Sequence, residues 1–473
     1  MSTPNAISAM PMRQRWWALA ILLSGNFVVI LDLFIVHVAI PDIRLRLEPT
    51  EVQLQLVLVG YAAAYGIGLM TGARLGDMLG RRRMFLWGMA IFTIASLGCG
   101  LSPTANGLVL ARIAQGLGAA LLMPQVLASI RLLFEGVERT RAFAILGAVQ
   151  GMAATVSQLL GGWLIELSAS DLGWRTVFLI NVPVGVLAIV AGLRVLPATS
   201  RIRARLDLAG TLAALAGVAL VLIPVMLGRE HGWPWWSWGL PLGSLGLWAW
   251  FLAHERRLHR AGGFPMFDVT LLRNRPFLAG AFGFLLFYSA ISSFFFSLTW
   301  LLQAGLQLSP LAAGLVFTPS AVAFFAGSLL GPRLRTALGE QVLIVGVLVF
   351  MAGLALAIAV GATDPHALSW LVIALALNGL GQGLAIPAAL GSVLARVDDR
   401  QAGVASGLVS TLQTLGNALG VTIVGTALFG QLVHQAGDPA TLHGLALAWA
   451  TLYNLAAAAI SLALFRLTVR TAH

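Results

Sequence analysis

The chain has 473 residues, of which 59% are hydrophobic and only 10% charged, and its mean hydropathy is +0.89. Soluble domains carry about 25% charged residues, so a soluble globular protein is excluded. The net charge of +11 is held by arginines whose placement follows membrane topology, which also excludes nucleic-acid binding.

A helix needs about 20 apolar residues to cross a hydrocarbon core of ~30 Å. Every span must be helical, because backbone groups cannot go unpaired in lipid. Fourteen apolar runs follow one another, near 16–40, 52–73, 84–102, 107–130, 141–165, 173–196, 205–228, 235–254, 276–302, 310–331, 341–361, 367–391, 401–430 and 443–468. The pattern predicts an all-α polytopic membrane protein with 14 transmembrane helices.

The first run holds LDLFIVHVAIP, in which Asp32 is the only carboxylate well inside a span. An acid at that depth costs about 2.5–3.5 kcal/mol on insertion scales, so it marks a proton, ion or substrate site unless it is a permanently paired structural ion. The helix is expected to end near Pro41, which puts Asp32 roughly 13 Å from that end. Arg112, in the fourth run, lies roughly 6 Å from its own outer end, and an arginine side chain covers the difference. A pair is feasible if the helices face each other: desolvation opposes ionisation of Asp32 and Arg112 favours it, leaving an acid able to load and release a proton. The plainer reading of Arg112 is snorkelling to the interface. His37 is a possible relay, or simply a hydrogen-bonded helical histidine.

Between the second and third runs, Gly76 and Gly80 permit a tight turn carrying Asp77 and Arg81 to Arg83. The fifth run contains Gly147-x3-Gly151 and Ser157-x3-Gly161 followed by Gly162, small residues that let helices approach closely and form either plain packing or a rocking seam. Cavity polarity or interhelical glue falls to Asn26, Gln115, Gln150, Gln158, Asn181, Asn378, Gln382, Gln413 and Asn417. Phe294 to Phe296 and Trp300 either stack on an aromatic ligand or pack. Trp233, Trp235, Trp236 and Trp238 read as an interfacial belt.

The chain has no lysine. With the N-terminus inside, 24 of its 29 arginines fall in inside loops, tails and helix ends, and only Arg44, Arg46, Arg175 and Arg229 fall outside. This positive-inside bias predicts that both termini are cytoplasmic. The single cysteine, Cys99, excludes an internal disulfide, and the first run reads as an uncleaved helix. No phosphate-binding GxxxxGK[ST] loop and no metal-ligand spacing is present, so neither an enzyme nor ATP-driven transport within this chain is expected, and no metal or cofactor.

The chain repeats itself at an offset of 263 residues. Gly116, Gly118 and Pro124 return as Gly379, Gly381 and Pro387, and Leu75-Gly76-Asp77 returns as Leu338-Gly339-Glu340. Helices 1–6 thus correspond to helices 9–14, with 7 and 8 inserted. The expected organisation is a six-helix bundle over 1–198, an inserted pair over 199–262 and a second bundle over 263–473, an architecture of secondary transporters. Asp32 maps onto Phe295, so the ionisable machinery sits in the first half.

These motifs resemble the major facilitator superfamily, and within it the fourteen-helix drug:proton antiporters, over essentially the whole chain. LDLFIVHVAIP matches their first-helix motif at Asp32, Ile35, Val36, Ala39 and Pro41. ARLGDMLGRRR resembles the loop signature through Leu75, Asp77, Gly80, Arg81 and Arg82. LARIAQGLGAALLMPQ resembles the fourth-helix motif at Arg112, Gln115, Gly116 and Gly118. GWRTVFLINVPVG and GVASGLVSTLQTLGNALG are similar to the segments of the sixth and thirteenth helices. The departures are Phe34, His37 and Ala73, where Thr, Asn and Gly are usual, and Ser157-Gln158 where the antiporter motif carries Gly-Pro.

The resemblance implies a bacterial inner-membrane antiporter that uses the proton gradient to export amphipathic small molecules, drugs or dyes among them. In it Asp32, Arg112, Gln115 and His37 would couple protons and substrate, and Asp77, Gly80, Arg81 and the weaker twin Glu340 would latch the halves on the inner side. A dedicated exporter of one metabolite is the near alternative. A transport-inactive sensor or scaffold is the distant one, and it predicts that Asp32→Asn leaves the phenotype intact. Partners beyond lipid, protons and substrate, such as a periplasmic adaptor, are not indicated.

Overall fold

The computed structural model describes residues 10–167, 172–198, 207–261, 269–397, 402–432 and 438–470, and among these there is no strand. The first half comprises α1 (Met12–Leu47), α2 (Glu51–Leu79), α3 (Arg81–Leu101), α4 (Ala105–Leu133), α5 (Gly136–Leu167), the single turn α6 (Thr176–Leu179) and α7 (Asn181–Val195). Between the two sets lie α8 (Leu208–Glu230) and α9 (Trp235–Arg260). The second half comprises α10 (Arg275–Trp300), α11 (Pro310–Leu338), α12 (Gln341–Thr363), α13 (Leu368–Leu394), α14 (Ala402–Leu432) and α15 (Pro439–Arg470).

Local chemistry explains most of the boundaries. Thr50 and Gln53 form a reciprocal capping box at the start of α2, and Thr104, Asn274 and Ser309 each accept a backbone N–H at the starts of α4, α10 and α11. Gly80 alone joins α2 to α3 at φ +99°, and Gly339 turns the chain before α12 at φ +60°, conformations that a side chain would strain. The first helix runs past its expected end. Pro41 is accommodated inside α1, whose last turns are held by an Asp42–Arg46 ion pair of 2.9 Å.

Twelve helices among the described residues are long and apolar enough to cross a membrane, which makes the chain a multi-pass integral membrane protein. α5 and α9 are outside this set. The described apolar stretches of α5, Ile145–Ala154 and Val156–Leu167, are each shorter than a span. In α9 the tryptophans share the helix with Ser237, Ser244, Pro241 and the run His254 to Arg257, which lowers its hydropathy.

The 263-residue repeat extends to the helices and their packing. Met12 and Arg275 open α1 and α10, Ala105 and Leu368 open α4 and α13, and Thr176 and Pro439 open α6 and α15. A Cβ on Gly116 would meet the carbonyl of Tyr61 on α2, and one on Gly118 the backbone of Phe92 on α3. Their counterparts Gly379 and Gly381 face Ser320 on α11 and Phe350 on α12 in the same way. The glycine pair therefore lets α4, and equally α13, lie backbone to backbone against two neighbours.

The halves meet along α2 against α14 and α5 against α11, and α8 bridges the first of these seams by touching both α2 and α14. In the α5–α11 seam, Gly162 lies on the backbone of Pro310, Gly314 on the backbone of Gln158, and Gly151 under the ring of Phe324. Gly161 instead packs on Ile35 of α1, and nothing described lies within 4 Å of a Cβ built at Gly147. The small residues of α5 thus divide between the seam and its own half.

Candidate functional site

Six elements bring one polar network together in the first half. Asp32 on α1 faces α4, where Arg112 and Gln115 are three residues apart and project from the same side of the helix. The Arg112 Nη1 donates to Asp32 Oδ2, and also to Gln115 Oε1 at 2.8 Å. Its Nε donates to the Val57 carbonyl at 2.8 Å, and its Cζ lies 4.2 Å from the ring centre of Tyr61, both on α2. Asp32 Oδ1 accepts from Gln115 Nε2 and from Asn181 Nδ2 at the start of α7, each at 2.9 Å. Ser96 on α3 accepts from the same two amides at 3.1 Å and donates to the Phe178 carbonyl at 2.9 Å.

Asp32 and Arg112 are each 0% exposed, which excludes snorkelling and makes them a buried ion pair. Such a pair costs several kcal/mol of desolvation per ion, roughly recovered only when geometry and hydrogen bonds are complete. Here both carboxylate oxygens are occupied. Arg112 Nη2 and Asn181 Oδ1 are the network atoms with no hydrogen-bond partner among the described residues. The consequence is chemical: protonating Asp32 leaves the Arg112 charge uncompensated in a low dielectric, so gaining a proton is tied to moving the guanidinium or opening the site. A second consequence concerns charge selection. Asp32 is fully buried and already paired with Arg112, so in this conformation it is withheld from a passing cation.

His37 stands apart. Five residues place it about 140° round the helix from Asp32. It is buried, and its Nδ1 has no partner among the described residues. Asp77 pairs with Arg81 at 3.2 Å, one turn away, and Arg81 reaches the Ala128 carbonyl on α4 at 3.1 Å, so these contacts tie α2, α3 and α4 within the first half. The twin Glu340 pairs with Arg396 at 3.3 Å at the end of α13. At the departed motif, Ser157 donates to its own helix at Ala154 and Gln158 donates to the Phe34 carbonyl on α1 at 3.1 Å. Phe295 stacks on Phe317 at 5.3 Å. Sequence reasoning named Asn181 only as one amide among nine and did not single out Tyr61, Ser96 or the Val57 carbonyl. Tyrosine within a span was the only available signal for Tyr61.

Removing one donor tests how the network shares its load. Asn181→Ala is expected to lower stability by about 1.5–3 kcal/mol, the value of a hydrogen bond to a charged group. Thermal unfolding of the purified protein in detergent measures it. An unchanged midpoint would mean that Gln115 alone satisfies Oδ1.

Membrane helices related by an internal repeat, with a buried ion pair in the first set, are an architecture found among transporters. Residues 22–421 match the Major Facilitator Superfamily, and the chain belongs to that family. It is 36% identical over 430 residues to a protein of Streptomyces coelicolor called a probable actinorhodin transporter, covering 90% of this chain and 74% of that one. It is 32% identical to the cephamycin export protein CmcT of Amycolatopsis lactamdurans, covering 94% and 91%, and 31% identical to the multidrug resistance protein Stp of Mycobacterium tuberculosis, covering 89% and 79%. A solved structure of a bacterial homologue of the human drug peptide transporters PepT1 and PepT2 has a TM-score of 0.66 at 16% identity, covering 97% of this chain and 99% of that one. That likeness concerns the fold.

Proposed function

We propose that this transporter exports antibiotic-like small molecules in exchange for protons, by alternating access of its two halves. The buried Asp32–Arg112 pair carries the reading, because it is an ionisable acid whose charge state is mechanically tied to its surroundings. Relatives named as a cephamycin export protein and a drug efflux pump support the direction and the class of cargo. On this reading α5 and α9 also cross the membrane, giving fourteen spans divided as 1–198, 199–262 and 263–473. Both termini face the cytoplasm of a bacterial inner membrane, and the Pro41–Leu47 end of α1 faces outward. His37 serves as a secondary proton or substrate contact.

Relatives named for single compounds, actinorhodin and cephamycin, favour a dedicated exporter as the second reading. One experiment addresses both: proton flux in inside-out vesicles with an imposed pH gradient, adding lipophilic cations, neutral antibiotics and zwitterions in turn. Several draining compounds fit a broad pump, and one strong one fits a dedicated exporter. Because Asp32 is fully buried and paired with Arg112, neutral and zwitterionic compounds are expected to drain the gradient at least as well as lipophilic cations. A response to cations alone would refute that charge assignment. No response from any compound, with folded protein, would sink proton exchange for this panel.

In the same scheme Asp77, Gly80, Arg81 and Glu340, whose contacts in this structure stay within their own halves, latch the halves together when the inner side closes. Asp77 is 37% exposed, so its pair with Arg81 contributes only about 0–1 kcal/mol to stability. Asp77→Ala is therefore expected to slow transport several-fold while leaving the unfolding midpoint nearly unchanged. Equal losses in both would make it a structural pair.

A further inference from the structure

Contacts between the halves are dense at the Arg44 end of the bundle. Arg44, near the end of α1, places its guanidinium 5.0 Å from the ring centre of Trp300 on α10 and 5.6 Å from that of Phe429 on α14. The two rings meet edge to face at 5.3 Å. Directly after Trp300 the helix widens into a π turn, Leu301–Gly305, closed by Leu306 N–H donating to the Leu301 carbonyl at 2.7 Å. Within that turn Gln303 Nε2 donates to the Val38 carbonyl of α1 at 3.0 Å. The same end carries Gly162 on the Pro310 backbone and Ser309 Oγ donating to Glu166 at 3.2 Å. One turn deeper, Gln55 of α2 packs on Gly425 of α14 beside Phe296, and is 2% exposed.

These features belong together physically. The π turn is the last turn of the helix, a wide closure of the kind that ends helices. Here the turn aims Gln303 at the other half. A cation over two rings is a contact that holds without interlocking side chains, so it can part without repacking a core. Arg44 is itself exposed, while Trp300 and Phe429 beneath it are buried.

We infer that Arg44, Trp300, Phe429 and Gln303 form the outer gate, a clamp closed in this structure and released when the halves part on the outside. The inference rests on the alternating-access reading, but its test requires no transported compound. A cysteine replacing Gln55 lies behind the clamp, and a membrane-impermeant maleimide added from outside reports when that side opens. Native Cys99 is fully buried, and the unsubstituted protein serves as the unlabelled control.

Arg44→Ala is expected to speed labelling by about three- to tenfold, the population shift that loss of a partly exposed cation–π contact gives. Arg44→Lys, which keeps a cation, should fall between Arg44→Ala and the parent. Trp300→Leu should also speed labelling, and the double variant should fall short of the product of the two effects, since both changes remove the Arg44–Trp300 contact. Thr426→Cys, also buried below Phe429, serves as the reporter if Gln55→Cys does not fold. Labelling of folded Arg44→Ala at the parent rate overturns the gate, as do independent, multiplying effects of Arg44→Ala and Trp300→Leu. A failed transport assay leaves this readout untouched.

Discussion

Asp32→Asn is expected to abolish proton-coupled transport and to destabilise the protein at the same time. Asparagine keeps an oxygen for the Gln115 and Asn181 amides, but it leaves the Arg112 charge buried and unpaired. Breaking one side of a buried pair costs about 3–5 kcal/mol, so the loss of activity by itself would be ambiguous. The double variant Asp32→Asn with Arg112→Gln separates the two effects. It removes both charges, keeps groups of similar size, and should recover much of the lost stability without recovering gradient drainage. Paired measurements of the unfolding midpoint and of proton flux decide it. Flux in the double variant would show that the pair is structural and that protons travel elsewhere, with His37 the first place to look.

Gly379→Ala is expected to be the most damaging Gly→Ala change among the described glycines. Its Cβ would be built into the Ser320 carbonyl of α11, a contact with main chain, which cannot rotate away. Overpacking usually costs about 1–3 kcal/mol, and a clash with backbone belongs at or beyond the top of that range. Gly116→Ala should behave alike against the Tyr61 carbonyl. Gly331→Ala on α11 is the control, since nothing described lies within 4 Å of its Cβ, and a helical Gly to Ala change there should be neutral or stabilising by up to about 1 kcal/mol. Yield of monodisperse protein and its unfolding midpoint measure all three. Equal behaviour of Gly379→Ala and Gly331→Ala would refute the close backbone contact.

Much of the architecture was legible beforehand because hydropathy is summed locally along the chain. The run of spans, the basic inside loops and the 263-residue repeat need no knowledge of which helix touches which. The fourteen-span reading outran what length and hydropathy support, because α9 mixes tryptophan with serine, proline and charge. The end of α1 was also misplaced, since proline was read as a stop and the chain carries it inside the helix.

Asp32 could be singled out from the sequence because a carboxylate in lipid is costly wherever its partners lie. Pairing with Arg112 was a matter of depth, and depth follows from counting residues. The remaining members of the network could not be read this way. Asn181, Ser96 and Tyr61 are 149, 64 and 29 residues from Asp32, and only the packing of α7, α3 and α2 around α1 and α4 sets them within reach.

The sequence by itself determined that this is a membrane-spanning, internally repeated chain with one deeply placed acid, because insertion cost and helix length are properties of short segments. Only the tertiary structure decided that the acid is fully neutralised and hidden, that Gly162 and Gly314 line the seam while Gly161 does not, and that Arg44 closes over an aromatic pair. Those are choices among neighbours, and helices distant in sequence make them when they pack.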